Sequence, residues 1–168
     1  DDLSLAAGLL KDAKNPVIIA GAGIHQSHAE DSLMSLSGKF RIPYFHSNHL
    51  EIRQVDFTQD TYMGLADIHQ NTASRMIQEK ADVVLCVGTK MDYCLDFGEP
   101  PLFSADSTLV CVNPTSRELA DNHIADHGIL ADSRIFLDEL AKTLECPNLD
   151  PQWCDEIRSR RIEENKGL

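Results

Sequence analysis

Two hydrophobic periods alternate along the chain. Leu3, Leu5, Ala6, Leu9, Leu10 and Ala13 recur at helical spacing, and Asn15-Pro16 breaks the stripe. Residues 17–20 are then apolar without interruption, as in a strand buried on both faces. Ser27, with Glu30 three positions on, has the form of a capping box. It predicts a helix whose inner face is Ala29, Leu33, Leu36 and Phe40. Residues 42–45 predict a short strand, and residues 46–68 read as a long irregular stretch containing Gly64. A helix follows over 72–80 and the clearest strand over 81–87, "ADVVLCV". Further strands are predicted at 109–112 and 128–130. A helix at 133–144 turns Ile135, Phe136, Leu137, Leu140 and Leu144 inward. From Cys146 a Pro-containing break leads into the charged segment "CDEIRSRRIEENK".

Apolar strands separated by helices predict an α/β fold. It should be a three-layer, mostly parallel, doubly wound sheet of about six strands of the Rossmann-like type. Ligands of such sheets lie outside the carboxyl ends of the strands. The residues that matter most are therefore Gly21–Gly23, His46–His49, Gly88–Met91 and Asn113–Thr115.

Composition narrows the classes. The 168 residues include 27 acidic and 15 basic side chains, a net charge of −12, which argues against a nucleic-acid partner. No apolar run approaches the roughly 20 residues of a membrane helix. The opening segment lacks a basic region ahead of its apolar residues, so it reads as an amphipathic helix and not as a secretory signal. The five cysteines form no CxxC pair, and the expectation is free thiols in a reducing cytoplasm.

Candidate chemistry is sparse. Gly21-Ala22-Gly23 after an apolar strand permits a tight turn and close approach of backbone to a phosphate, and the next helix could offer its free N–H groups. The third glycine of a dinucleotide fingerprint is absent, Gln26 standing in its place. Three histidine pairs (His25/His28, His46/His49, His123/His127) lack a completing ligand, so no metal site is expected. Carboxylate pairs such as Glu30/Asp31 and Glu163/Glu164 read as solvated helix faces. No G-x-S-x-G elbow and no P-loop is present. No catalytic residue is expected in this chain.

Several stretches in order, "LLKDAKNPVIIAGAGI", "FRIPYF", "YMGLA", "ADVVLCVGTKMDY", "VNPTSRELADN" and "LADSRIFLDEL", resemble the middle domain of thiamine-diphosphate-dependent enzymes of the acetolactate synthase group. Tyr93, Phe97-Gly98 and Pro100-Pro101 look most like the 2-hydroxyacyl-CoA lyase and oxalyl-CoA decarboxylase branch. The resemblance implies a central domain over residues 1–145. Residues 146–168 would be a linker and helix leading to a C-terminal domain absent from this chain. It implies that N- and C-terminal domains of a longer parent hold thiamine diphosphate and Mg2+, and that the parent is a homodimer or tetramer. In this family the middle domain binds FAD in some members, ADP in others and nothing in many. The cofactor-binding positions would be Gly21, Ala22, Gly23, Gly88, Thr89, Lys90, Asn113 and Thr115. Nucleotide binders of the family tend to carry D-x-D where this chain has Asn113 and Thr115, and Arg where it has Lys90. Restoring both carboxylates is expected to tighten ADP or FAD binding by about tenfold. The alternative is a stand-alone nucleotide- or flavin-binding subunit of a larger redox complex.

Overall fold

The computed structural model describes residues 1–47, 55–120 and 125–166. Six parallel strands form one sheet: β1 Pro16–Ala20, β2 Tyr44–His46, β3 Tyr62–Leu65, β4 Val83–Val87, β5 Thr108–Asn113 and β6 His127–Leu130. Their spatial order is β3-β2-β1-β4-β5-β6, a doubly wound arrangement that reverses direction between β1 and β4. The α/β expectation and the strand count hold.

The central strands are apolar throughout because both their faces are covered. β1 and β4 are buried at every position. Alternate residues sort into two cores, as the period of two demands. Ile18, Ala20, Leu85, Val87, Val110 and Val112 face helices α1 (Asp2–Asp12), α3 (Glu30–Phe40) and α6 (Ser133–Thr143). Val17, Ile19, Val84, Cys86, Leu109 and Cys111 face the opposite layer, which includes α4 (Arg75–Lys80) and α7 (Trp153–Lys166). Cys86 and Cys111 are register partners on adjacent strands and are free, buried thiols; burial pushes the Cys86 thiol well up.

Four sequence expectations are corrected. Strand β3 lies inside the stretch expected to be irregular. Gly64, at φ +92°, interrupts its apolar pattern, and only Tyr62 and Met63 are buried in this edge strand. Ser27 caps no helix start. Its hydroxyl donates to the Gly23 carbonyl at 2.7 Å and closes the short helix α2 (Ala22–Gln26), while α3 begins at Glu30 after Ala29. Glu30, expected on a solvated face, is 6% exposed and meets His25 Nδ1 at 2.9 Å. Ile135, expected on the inner side of α6, is 64% exposed; Phe136, Leu137 and Leu140 carry that face.

The segment after Cys146 packs on the domain as far as Arg161. Asn148 and Asp150 donate backbone N–H bonds to the Lys11 and Lys14 carbonyls. Helix α7 then buries Trp153, Cys154 and Ile157, and Trp153 Nε1 donates to the Pro16 carbonyl at 2.8 Å. Arg161 Nη1 donates to the Tyr62 carbonyl of β3 at 2.5 Å with its guanidinium over the Tyr62 ring. Asn71 Nδ2 donates to Met63 and Leu65 carbonyls at 2.8 Å each. Side-chain donors thus occupy backbone carbonyls of an edge strand, one of the ways natural sheets blunt an edge. Among the described residues no helix is long and apolar enough to cross a membrane.

Candidate functional site

The parallel register sets the ends of the strands level. Ala20 pairs with Val87, Val87 with Val112, and Val112 with Ile129. Gly21, Gly88 and Asn113 therefore emerge side by side at the carboxyl edge, on either side of the switch point. Of the eight cofactor-binding positions expected from the sequence, six line one cleft, and Gly21 and Thr115 do not.

The glycines are explained by each other. A Cβ on Gly23 would stand 2.5 Å from Gly88 Cα, and one on Gly21 would stand 2.4 Å from Thr89 Cβ. Gly88 is doubly constrained, by φ +63° and by Gly23 Cα 2.6 Å from any added Cβ. The backbone amides follow the same logic. Gly21 N–H donates to the Val87 carbonyl at 3.0 Å and Gly23 N–H to the Gly88 carbonyl at 2.8 Å. Ile24 N–H donates to the Gly21 carbonyl at 3.0 Å. The small-residue turn is filled by a neighbouring turn. Gly23 and Ile24, which a phosphate-binding helix start would present to a ligand, spend their donors within the protein.

Asn113 closes the β5 end. It is 3% exposed, and its Nδ2 donates to the Thr89 carbonyl at 3.1 Å. Its amide fixes the Gly88-Thr89 turn and needs a donor that a carboxylate lacks. Thr115 is an N-cap. Its hydroxyl accepts from Glu118 N–H at 3.3 Å and donates to Glu118 Oε2 at 2.9 Å, opening helix α5 (Ser116–Ala120). Thr115 does not line the cleft described next. Glu118 does, and it was missed in the sequence; the signal was the Thr115-x-x-Glu118 spacing of a capping box.

A cleft of about 270 Å³ opens over the β1, β4 and β5 ends. Ala22, Gly23, Gly88, Thr89, Lys90 and Asn113 of the expected set line it, joined by Gln26, Ser47, Asp92 and Glu118. Lys90 is exposed and, among the described residues, pairs with no carboxylate. Asp92 Oδ1 accepts from Cys94 N–H at 2.9 Å and so caps its own turn. A second cleft, about 330 Å³, lies over the β3 side and shares Ser47 and Cys94 with the first. Asp67, His69 and Tyr93 line it, and the Cys94 thiol beside Tyr93 pushes that exposed phenol upward.

Metal-ligating residues do not converge. Among the described residues no three His, Cys, Asp or Glu side chains could share an ion. His46 Nδ1 lies 3.0 Å from Tyr62 Oη in the core, while His25 serves Glu30. His49 and His123 lie outside the described residues.

Comparison with known proteins fits this architecture. The chain is 32% identical to mouse 2-hydroxyacyl-CoA lyase 1 over 175 residues, covering 97% of this chain and 27% of the relative. It is 29% identical to a 3D-(3,5/4)-trihydroxycyclohexane-1,2-dione hydrolase of Clostridium tetani, covering 97% of this chain and 25% of that protein. It thus spans about a quarter of the length of these curated relatives. Among solved structures, a thiamine diphosphate-dependent 4-hydroxybenzoylformate decarboxylase from Rhodococcus jostii superposes with a TM-score of 0.72 at 18% identity, over 89% of this chain and 28% of that one. Benzoylformate decarboxylase from Polynucleobacter necessarius gives 0.69 at 17%, over 89% and 29%. Residues 3–140 match the family described as "Thiamine pyrophosphate enzyme, central domain", and the chain belongs to that family.

Proposed function

We propose that this chain is the non-catalytic central domain of a longer thiamine-diphosphate-dependent enzyme that cleaves or forms a carbon–carbon bond next to a carbonyl. The observation that carries the reading is the family match over residues 3–140, supported by the lyase among its relatives. Bound thiamine diphosphate supplies the carbanion-stabilising chemistry. Among the described residues no three His, Cys, Asp or Glu side chains converge. In this reading thiamine diphosphate and Mg2+ are held by N- and C-terminal domains of the parent, a cytoplasmic homodimer or tetramer. What this domain contributes is position: a rigid parallel sheet clamped on both faces.

The cleft over the β1, β4 and β5 ends is proposed as a site for an adenine nucleotide, ADP or FAD. Its place at the switch point and its convergent polar side chains support this. Calorimetric titration of the chain with thiamine diphosphate and Mg2+ tests the scaffold role. No saturable heat is expected, and no cleavage of a 2-hydroxyacyl-CoA by the chain alone. Turnover by the chain alone would end the reading.

A further inference from the structure

Helix α7 is held to the domain in two ways, divided near Ile157. Trp153, Cys154 and Ile157 are buried, and Trp153 Nε1 donates to the Pro16 carbonyl, so the first turn is anchored among apolar side chains. The next turn meets the domain through charge. Arg158 Nη1 lies 3.2 Å from Asp60 Oδ1, in the turn before β3, and Arg160 Nη2 lies 2.8 Å from Glu79 Oε2 on α4. Arg161 adds its bond to the Tyr62 carbonyl, with its guanidinium 4.8 Å from the Tyr62 ring centroid.

The acids that precede these arginines are paired in the opposite sense. Asp155 Oδ1 meets Arg41 Nη2 at 3.1 Å and Glu156 Oε2 meets Lys80 Nζ at 2.7 Å. Acids then bases on α7 thus face bases then acids on the domain. A slip of about one turn would set Asp155 against Asp60 and Glu156 against Glu79. A slip the other way would set the arginines against Arg41 and Lys80. The pairs therefore fix the register of the helix even though each adds little stability. All eight side chains are 37–64% exposed, so dissolved salt reaches and screens them.

We propose that α7 beyond Ile157 is a salt-released clasp. At low ionic strength the charge pairs hold residues 158–161 in register on α4 and β3. At high ionic strength this part peels back to Ile157 while the Trp153 turn stays in place. A helix end without tertiary contacts is marginal in water, so release and unwinding go together. Release frees the Tyr62 carbonyl and loosens β3, whose end at Leu65 lines the second cleft. The clasp thereby couples the end of α7 to that cleft wall. Where α7 leads into a further domain, as the proposed function has it, the clasp also sets that domain's approach; the clasp itself stands without that reading.

Hydrogen exchange followed by NMR on the whole chain tests it, in about 0.05 M and about 1 M NaCl, between which the Debye length falls to about 3 Å. The amides of Ser159, Arg160 and Arg161 are expected to exchange about fivefold faster at high salt, as two exposed ion pairs are screened. Those of Tyr62–Leu65 should follow. The amides of Glu156 and Ile157, and of Val17–Ala20 in β1 as reference, should change by less than about twofold. Arg158→Glu is expected to reproduce the fivefold acceleration at low salt, and Asp60→Arg in the same chain to reverse it. Acceleration below about twofold at Ser159–Arg161, or equal acceleration at Ile157 and β1, would overturn the clasp. Failure of Asp60→Arg to restore slow exchange in the Arg158→Glu chain would overturn the charge pairing as what sets the register.

Discussion

Asn113 illustrates how a residue type can be legible and its task hidden. The sequence places it at a strand end, where family resemblance suggests a missing carboxylate. The structure gives its amide a buried carbonyl to serve, that of Thr89. Asn113→Asp would remove the donor and set a negative charge against that oxygen. The expected result is a loss of about 1–3 kcal/mol of stability, read as a lower urea midpoint. This cost to folding stands against any gain in affinity from a carboxylate at 113, and Thr115 lies off the cleft. Gly23 is similar. Its smallness was visible, but spacing along one strand says nothing about the neighbour across the sheet. With Gly88 Cα 2.5 Å from an added Cβ, Gly23→Ala forces the two turns apart. It is expected to cost about 1–3 kcal/mol by overpacking, measurable in the same assay.

At the scale of elements, strands with continuous apolar runs were legible and those depending on neighbours were not. β1 and β4 announce themselves because every position is buried. β3 carries Gly64 and a half-buried end, so its identity rests on pairing with β2 and on Asn71 and Arg161 beyond its edge. In the sequence helix α7 reads as charged because Trp153 and Ile157 are few among many charges. They are nevertheless 1% and 0% exposed. Trp153→Ala should therefore cost about 3–5 kcal/mol in chemical denaturation. A chain ending at Asp150 should lose the Arg161 tie to β3 as well, and its β3 amides should exchange hydrogen faster than in the full chain. Unchanged stability of Trp153→Ala would mean that α7 is not part of the fold.

The whole molecule joins a parallel sheet, two cores and a shallow polar edge. Its buried acids make it alkali-sensitive. Burial raises the Cys154 thiol to about 11 from an ordinary 9.0, and raises Cys86 and Tyr62 in the same direction. Below about pH 8 these groups are protonated whether the chain is folded or not, so they add no pH dependence there. Above it the unfolded chain releases protons that the folded chain retains, and stability falls as pH rises toward 11. Cys154 alone should account for about 2 kcal/mol of that fall, checked by urea midpoints at pH 8.5 and 10.5. Fold class and strand count are legible in the alternation of apolar runs with helical stripes, and the family resemblance in the order of short motifs. The lining of the cleft is less so, because Glu118 reaches it only through the start of α5, and the register that sets Gly21, Gly88 and Asn113 level is a property of the sheet.

The central claim is a non-catalytic domain whose functional surface is the carboxyl edge around the switch point. Nitrogen-15 NMR shift mapping on the 168-residue chain tests it most directly, with ADP and with thiamine diphosphate plus Mg2+ as separate additions. ADP is expected to move the amides of Gly88, Thr89, Lys90, Asn113 and Glu118 in a saturable way, and thiamine diphosphate is expected to move none. Saturable shifts from thiamine diphosphate, or ADP shifts confined to residues away from that edge, would contradict it.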